Sequence, residues 1–510
     1  MNDNFVILLV LDGWGIAPPG SGNAITLATT TNINRLNYSF PNTTLRASEE
    51  AVGLPRGEVG NTETGHLNLG AGRIVYQDLA RINLSIDDGT FALLHLTNIR
   101  KFNRVFLHLF TDGRDSPPTS SALYISQVRQ IIKKEQVGVI ASVMGRYWAM
   151  DRDQRWDRTE KAYNALTLAE GKYVKTPEEA IEASYEEGKT DEFLTPSIIV
   201  KDDGKPVATI NDNDAVIFFN FRIDRPRQLT KVFVAKDFQN SSTEWGYDPF
   251  TVKYQKKHEI HDTKARSTFI RKKYINNLYF ATMTEYSKIL VEDGAKVAIH
   301  PELVTMTLGR VIAENGLKQL RMAESEKERF VTFYFNGQQN VKLIGEDVII
   351  IPSPNVSTYD QKPEMSVYQL TEKLLEELKK ANNYSFVLVN FANADMVGHT
   401  GSLGPAVKAC EAIDECVGKI ASHVLGYGGN LIITADHGNT EEMINLQSGQ
   451  INTEHSINPV PFICVSKKFI GQPLKLTQGI LSDVAPTILH LLGLDIPDTM
   501  TGRNLLEEID

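Results

Sequence analysis

Asp436 and His437 stand side by side at the end of an apolar run, Leu431 to Thr434, with Gly438 directly after them. A carboxylate next to an imidazole can be an ordinary ion pair, and taken alone that reading is the simpler one. It is not alone. Residues 5–11 (FVILLVL) stop at Asp12 before a glycine, and residues 386–391 (FVLVNF) are followed by Asp395 and His399. A further histidine, His455, precedes the apolar run of residues 460–465. Mixed carboxylate and imidazole donors suit manganese, zinc or cobalt. In open α/β sheets, ligands gather beyond the carboxyl ends of strands. Three apolar strands ending in Asp, or Asp plus His, therefore read as one metal site approached from three directions.

Residues 53–73 (GLPRGEVGNTETGHLNLGAGR) crowd glycines around Asn61, Thr62 and His66. Asn61 has the chemistry of a helix N-cap, which places Thr62 in the first turn, where free N–H groups welcome an anionic oxygen or a phosphate. A lone threonine there is as easily a capping-region hydroxyl. Beside a cation it becomes a candidate nucleophile, because the cation lowers the pKa of its hydroxyl.

A second set of strands ends in arginine. Residues 105–110 run into Asp112, Arg114 and Asp115; residues 137–144 run into Arg146, with Arg152 beyond; residues 215–221 run into Arg222, with Arg225 following. Any one of these is ordinary surface charge. Guanidinium forks converging from several strand ends suit a carboxylate or a phosphate. This region reads as an α/β domain that grips a small anion.

The elements around these residues fix the organisation. At 510 residues the chain exceeds a single core, so two or three domains are expected. The acidic strand ends lie before residue 70 and after residue 390, so the arginine-bearing domain must be inserted into the metal-bearing one. We place the boundaries at 1–78 with 300–510 for the first, and 79–299 for the second. Residues 16–53 read as loops and a short helix, 330–337 (FVTFYFNG) as a strand, and 366–381 as an amphipathic helix. Residues 239–277 break the α/β rhythm and end strongly basic; His258 and His261 within them read as solvated. A net charge of −10 argues against a dedicated nucleic-acid binder. Cys410, Cys416 and Cys464 have no disulfide or zinc spacing. The first apolar run has no basic leader and is too short to span a membrane. A cytoplasmic protein with no membrane association is expected.

Taken together, LDGWG, GLPRGEVGNTETGHLNLGAGRIVYQ, TDGRD, GRYWAMDRDQRW, NFRIDRPRQL, QLRMAESEK, NFANADMVGHTG, TADHGNTEEM and HSINPVPFI resemble, in order and over nearly the whole chain, the cofactor-independent phosphoglycerate mutases of the alkaline phosphatase superfamily. The resemblance implies an alkaline-phosphatase-like α/β domain carrying an inserted α/β substrate domain, and two manganese ions with no need for 2,3-bisphosphoglycerate. It implies that Asp12, Thr62, Asp436 and His437 hold one ion, and Asp395, His399 and His455 the other. It assigns Lys327 to the phosphoryl group in flight. It assigns Arg114, Asp115, Arg146, Arg152, Arg222 and Arg225 to the phosphoglycerate, with Asp115 as acid or base for the glycerate hydroxyls. A monomer and a small-molecule substrate are implied.

The expected reaction moves phosphate from 3-phosphoglycerate to Thr62 and back to the 2-hydroxyl of a retained glycerate. The domains should close to keep water out. Two features depart from the family. Thr62 stands where the family has serine, and the family's Gly-Gly-Val-His-Ser-His segment, whose first histidine meets substrate, has no counterpart between Asp88 and Asp112. A metal-dependent phosphatase, or a mutase of another phosphorylated acid, would share the same ligands. So would a non-catalytic metabolite-binding protein.

Overall fold

The computed structural model describes residues 5–78, 80–81, 104–114, 116–221, 223–240, 268–380, 384–445 and 449–509. Asp115, Arg222 and most of the 239–277 stretch lie outside them. The chain divides into two units, Met1–Asn83 with Glu302–Asp510, and Leu84–Pro301.

The first unit is built on one eight-stranded sheet. Its strands in chain order are β1 (Val6–Leu11), β2 (Asn42–Arg46), β3 (Lys318–Glu324), β4 (Glu346–Ile351), β5 (Tyr384–Phe391), β6 (Asn430–Thr434), β7 (Val460–Ser466) and β8 (Gly479–Ile480). They lie side by side as β4-β3-β5-β1-β6-β7-β2-β8. From β4 to β6 every pairing is parallel, whereas β7 runs antiparallel to both its neighbours. Every residue of β1 and of β6 is buried. That is why β1 and the centre of β6, Leu431 to Ile433, are continuous apolar runs rather than alternating ones: a strand covered on both faces has no solvent side. The helices of this unit include α1 (Thr62–Ala71), α2 (Asn393–Gly398) and α3 (Leu403–Tyr427).

This topology sets the carboxyl ends of β3, β5, β1 and β6 in a row. Asp12 directly follows β1, α2 with Asp395 follows β5, Asp436 lies just past β6, and Lys327 lies just past β3. The β1 and β5 ends are laced together, because Asp12 N–H donates to Phe391 O (3.0 Å) and Asp395 N–H donates to Asp12 O (3.0 Å). Gly13 makes that lacing possible. Its φ of +75° is left-handed, and a Cβ there would sit 2.7 Å from Asp395 Cα.

Two expectations fail. Residues 16–53 contain the helix Thr31–Ser39 and also the strand β2, which pairs with β7 and β8. Its sequence, Asn-Thr-Thr-Leu-Arg, holds a single large apolar residue; the strand exists because neighbours on both sides take its backbone groups. Residues 330–334 are helical, not extended. Phe335 N–H donates to Phe330 O, five residues back (3.1 Å), and the Phe330 and Tyr334 rings stack at 5.5 Å. Short aromatic and β-branched runs do not by themselves distinguish a strand from a buried helical turn.

The second unit holds a sheet of strands Phe106–Thr111, Val139–Gly145, Ser197–Ile199 and Lys172–Val174, in that order, and a smaller one of Ala215–Phe218, Tyr279–Thr282 and Lys296–Val297. Among the described residues no helix is long and apolar enough to cross a membrane. The three cysteines are buried and unbridged.

Helix α1 packs directly on the β6 end: a Cβ at Gly65 would stand 2.6 Å from the backbone oxygen of Asp436. Gly65→Ala should therefore push α1 off the site, lowering stability by about 1–3 kcal/mol and weakening metal binding together with it. Thermal unfolding and metal titration of that variant check this.

Candidate metal centre and anion pocket

In the first unit the carboxylates and imidazoles fall into two groups. Asp12, Asp436 and His437 offer ligand atoms all within 4.8 Å of one another, and so do Asp395, His399 and His455. Lys327 lies against both, with Nζ 2.7 Å from Asp12 Oδ1 and 2.7 Å from Asp395 Oδ2. The Thr62 hydroxyl lies against the first group and the lysine. Its Oγ is 2.9 Å from His437 Nε2, 3.2 Å from Lys327 Nζ and 3.4 Å from Asp12 Oδ1.

Local sequence explains why Thr62 and not Thr64 points inward. Asn61 caps α1 by accepting from Thr64 N–H (2.9 Å), and the Thr64 hydroxyl is drawn back to the same residue, onto Asn61 O (3.2 Å) and Oδ1 (3.1 Å). Thr62, at the first helical position, is left with its oxygen directed at the strand ends.

The arrangement fits a bound cation. His399 Nδ1 faces Thr453 O (2.8 Å), His455 Nδ1 faces Gly60 O (2.8 Å) and His437 Nδ1 faces Gly438 O (3.2 Å). Each carbonyl fixes the proton on Nδ1 and aims Nε2 inward, the usual preparation of a metal-binding imidazole. His399 Nε2, His455 Nε2 and Asp395 Oδ1 then stand 3.1–3.2 Å apart. That is roughly the spacing of ligands around a cation with bonds of about 2.1 Å. In the other group Asp436 Oδ2 is buried, 3.2 Å from His66 Nδ1 and 3.6 Å from His437 Nε2, with no aligned hydrogen bond among the described residues.

The field asks for positive charge. Burial disfavours the ammonium of Lys327, but Asp12, Asp395 and Asp436 outweigh it and hold the group charged. Burial likewise opposes charge on His437, yet Asp436, Asp12 and Asp395 raise its pKa to about 10. Burial would push Asp395 up; Lys327, His399 and His455 instead hold it well below the usual carboxylate range. With no metal, a proton on His437 Nε2 partly takes the cation's place.

Further groups complete the cluster. His66 and Asn390 lie behind Asp436 and Asp12. Asn439 donates to Asp395 Oδ1 (3.1 Å). The buried Glu441 accepts from Gly15 N–H (3.1 Å), Asn439 N–H (2.8 Å), Asn458 Nδ2 (3.1 Å) and the Ser456 hydroxyl, tying the β1 and β6 ends to the loop of His455. His66 carried a signal in its spacing, one helical turn beyond Thr62. Glu441 carried none.

In the second unit Arg114, Arg146, Arg152 and Arg225 line one cavity of about 350 Å³. Arg155 and Arg158, which sequence reading passed over, line it too, with Tyr147, Asp151 and Glu192. Acidic partners hold the guanidiniums: Arg146 pairs with Asp112, Arg152 Nη1 lies 2.6 Å from Asp224 Oδ2, and Arg114 Nη1 lies 3.8 Å from Glu192 Oε1. Cationic forks set in one concavity suit an oxyanion.

Residues 4–496 match the model of the metalloenzyme superfamily. The 2,3-bisphosphoglycerate-independent phosphoglycerate mutase of Moorella thermoacetica is 44% identical, over 98% of this chain and 98% of its own. That of Clostridium tetani is 42% identical over 99% and 100%. The chain belongs to this family. A crystal structure of Leishmania mexicana phosphoglycerate mutase at low cobalt concentration superposes with a TM-score of 0.54 at 27% identity, covering 98% of this chain and 97% of that one. Membership in a metalloenzyme family agrees with the cation-seeking field of the strand ends.

The raised pKa of His437 gives a pH test. Metal-free protein gains stability from this proton fully below the unfolded value near 6.5, and loses it as pH rises through about 10. The melting temperature of stripped protein should thus fall between pH 7 and 10, while manganese affinity rises over the same window because less proton must be displaced. Calorimetry with and without chelator measures both.

Proposed function

We propose that this chain interconverts 3-phosphoglycerate and 2-phosphoglycerate through a phosphoenzyme on Thr62, independently of 2,3-bisphosphoglycerate. The observation that carries the reading is the Thr62 hydroxyl at a helix start, 3.2 Å from a buried lysine and against the Asp12 and His437 donors of one metal-type cluster. The named activity of full-length relatives supports it.

On this reading Asp12, Thr62, Asp436 and His437 hold one manganese ion and Asp395, His399 and His455 the other; zinc or cobalt would suit the same donors. When bound, such ions lower the pKa of the Thr62 hydroxyl and offset the charge of the phosphoryl group. Thr62 Oγ forms the new bond to phosphorus as the bond to the glycerate C3 oxygen breaks. Lys327, held charged by its aspartates, neutralises the equatorial oxygens in transit. Arg114, Arg146, Arg152, Arg222 and Arg225 retain the glycerate, and Asp115 gives and takes the hydroxyl protons. The 2-hydroxyl then takes the phosphate from Thr62.

The extra methyl of threonine restricts χ1 without changing the chemistry of the oxygen. Enzyme quenched in acid during turnover should yield a peptide phosphorylated on Thr62. Thr62→Ala should abolish both phosphopeptide and 2-phosphoglycerate, and Thr62→Ser should keep both. Phosphate on Thr64, or activity in Thr62→Ala, would contradict the mechanism. Free phosphate released from 3-phosphoglycerate in place of 2-phosphoglycerate would make the protein a phosphatase. Arg152→Lys should cut kcat/KM by about 10–100-fold, some 1.4–2.8 kcal/mol, since a point charge cannot replace a fork. Parent-like kinetics would make Arg152 structural.

A further inference from the structure

His66 is fully buried and lies behind the metal-type donors, not among them. Its Nδ1 faces two oxygens, Thr62 O at 3.1 Å and Asp436 Oδ2 at 3.2 Å. Its Nε2 faces the amide nitrogen of Asn390 at 3.1 Å. Oxygens on one side and an N–H donor on the other fix the tautomer: the proton sits on Nδ1, and Nε2 accepts. The same Asn390 nitrogen lies 2.8 Å from Asp12 Oδ2 and donates to it.

A line of contacts therefore runs from Asp12 through Asn390 and His66 to Asp436 and to the backbone of Thr62. Because Asn390 occupies Asp12 Oδ2, the other oxygen, Oδ1, is the one presented to Lys327, Thr62 and His437. The Nδ1–H of His66 is aligned on the Thr62 carbonyl and also lies 3.2 Å from Asp436 Oδ2, which its nearness helps to keep ionised. One ring thus touches Asp436 and the first turn of α1 directly, and Asp12 through Asn390.

We propose that His66 is the positioning residue of the Asp12/Asp436/His437 group and sets its metal affinity, acting through Asn390 on Asp12 and directly on Asp436. The inference rests on the reading of that group as a metal site, but not on the reaction. Residues that hold ligands in place without touching the metal commonly change its affinity by about 10–100-fold.

The test is direct binding of manganese to chelator-stripped protein by titration calorimetry, which reads no turnover. His66→Phe keeps a ring beside Phe330, whose centroid is 5.9 Å away, and removes both polar contacts. It should weaken manganese binding about 10–100-fold, leave the melting temperature of stripped protein near the parent's, and leave the substrate KM at saturating metal unchanged. His66→Asn retains a donor near the Nδ1 position and should recover part of the affinity; it also serves if the phenylalanine variant does not fold. Asn390→Leu should weaken binding too, and the two changes combined should cost less than their product, since they act in one line. Parent-like affinity in His66→Phe and His66→Asn would overturn the proposal. So would affinity lost only in step with the melting temperature of stripped protein, or full multiplicativity with Asn390→Leu. Normal metal effects in a protein that makes no 2-phosphoglycerate would instead leave this inference standing and sink the proposed reaction.

Discussion

Three buried aspartates that converge on one imidazole nitrogen, His437 Nε2, cannot persist without positive charge among them. Asp12, Asp395 and Asp436 are all nearly inaccessible to water, and the ionised form of each would be very costly if unpaired. Lys327 supplies one permanent cation, touching Asp12 and Asp395 together. It leaves Asp436 without an aligned donor on one oxygen, and it leaves the inward-facing nitrogens of His399 and His455 crowded against Asp395. The remaining deficit of positive charge is what gives the site its affinity for metal.

The rest of the first unit serves that convergence. Parallel β3, β5, β1 and β6 put four chain ends in a row, and Gly13 and Gly65 let backbone approach where any side chain would collide. Backbone carbonyls of Gly60, Gly438 and Thr453 set the histidine tautomers from outside the cluster. Glu441 ties the loop carrying His455 to the ends of β1 and β6. Thr62 belongs to the same construction: Asn61 claims the neighbouring threonine, and the first helical residue is left facing charge.

Much of this was legible in the sequence, for a physical reason. A parallel strand buried on both faces is mainly apolar, so an aspartate just past its end stands out; Asp12, Asp395 and Asp436 were visible on those grounds. Lys327 was not. Nothing in a lysine between two apolar runs marks it as buried, and only the family resemblance singled it out. Asn390 and Glu441 act through contacts between residues far apart in the chain, which no local pattern encodes; the spacing of His66 from Thr62 was visible, but its contact with Asn390 was not. The strand β2 was missed because its backbone pairing, not its side chains, makes it a strand. Residues 330–334 were misread because an aromatic run satisfies either geometry. In the arginine pocket, Arg155 and Arg158 went unnoticed because neither stands at a strand end; they precede or lie in the helix that follows.

The central claim is that the converging donors are held apart and satisfied by cations. Crystals of manganese-loaded protein, measured on either side of the manganese absorption edge, test it most directly. The account predicts anomalous density among Asp12, Asp436 and His437 and among Asp395, His399 and His455, with Lys327 still against its aspartates. Manganese found only elsewhere on the protein, with the His399 and His455 nitrogens still in contact around an empty centre, would contradict it.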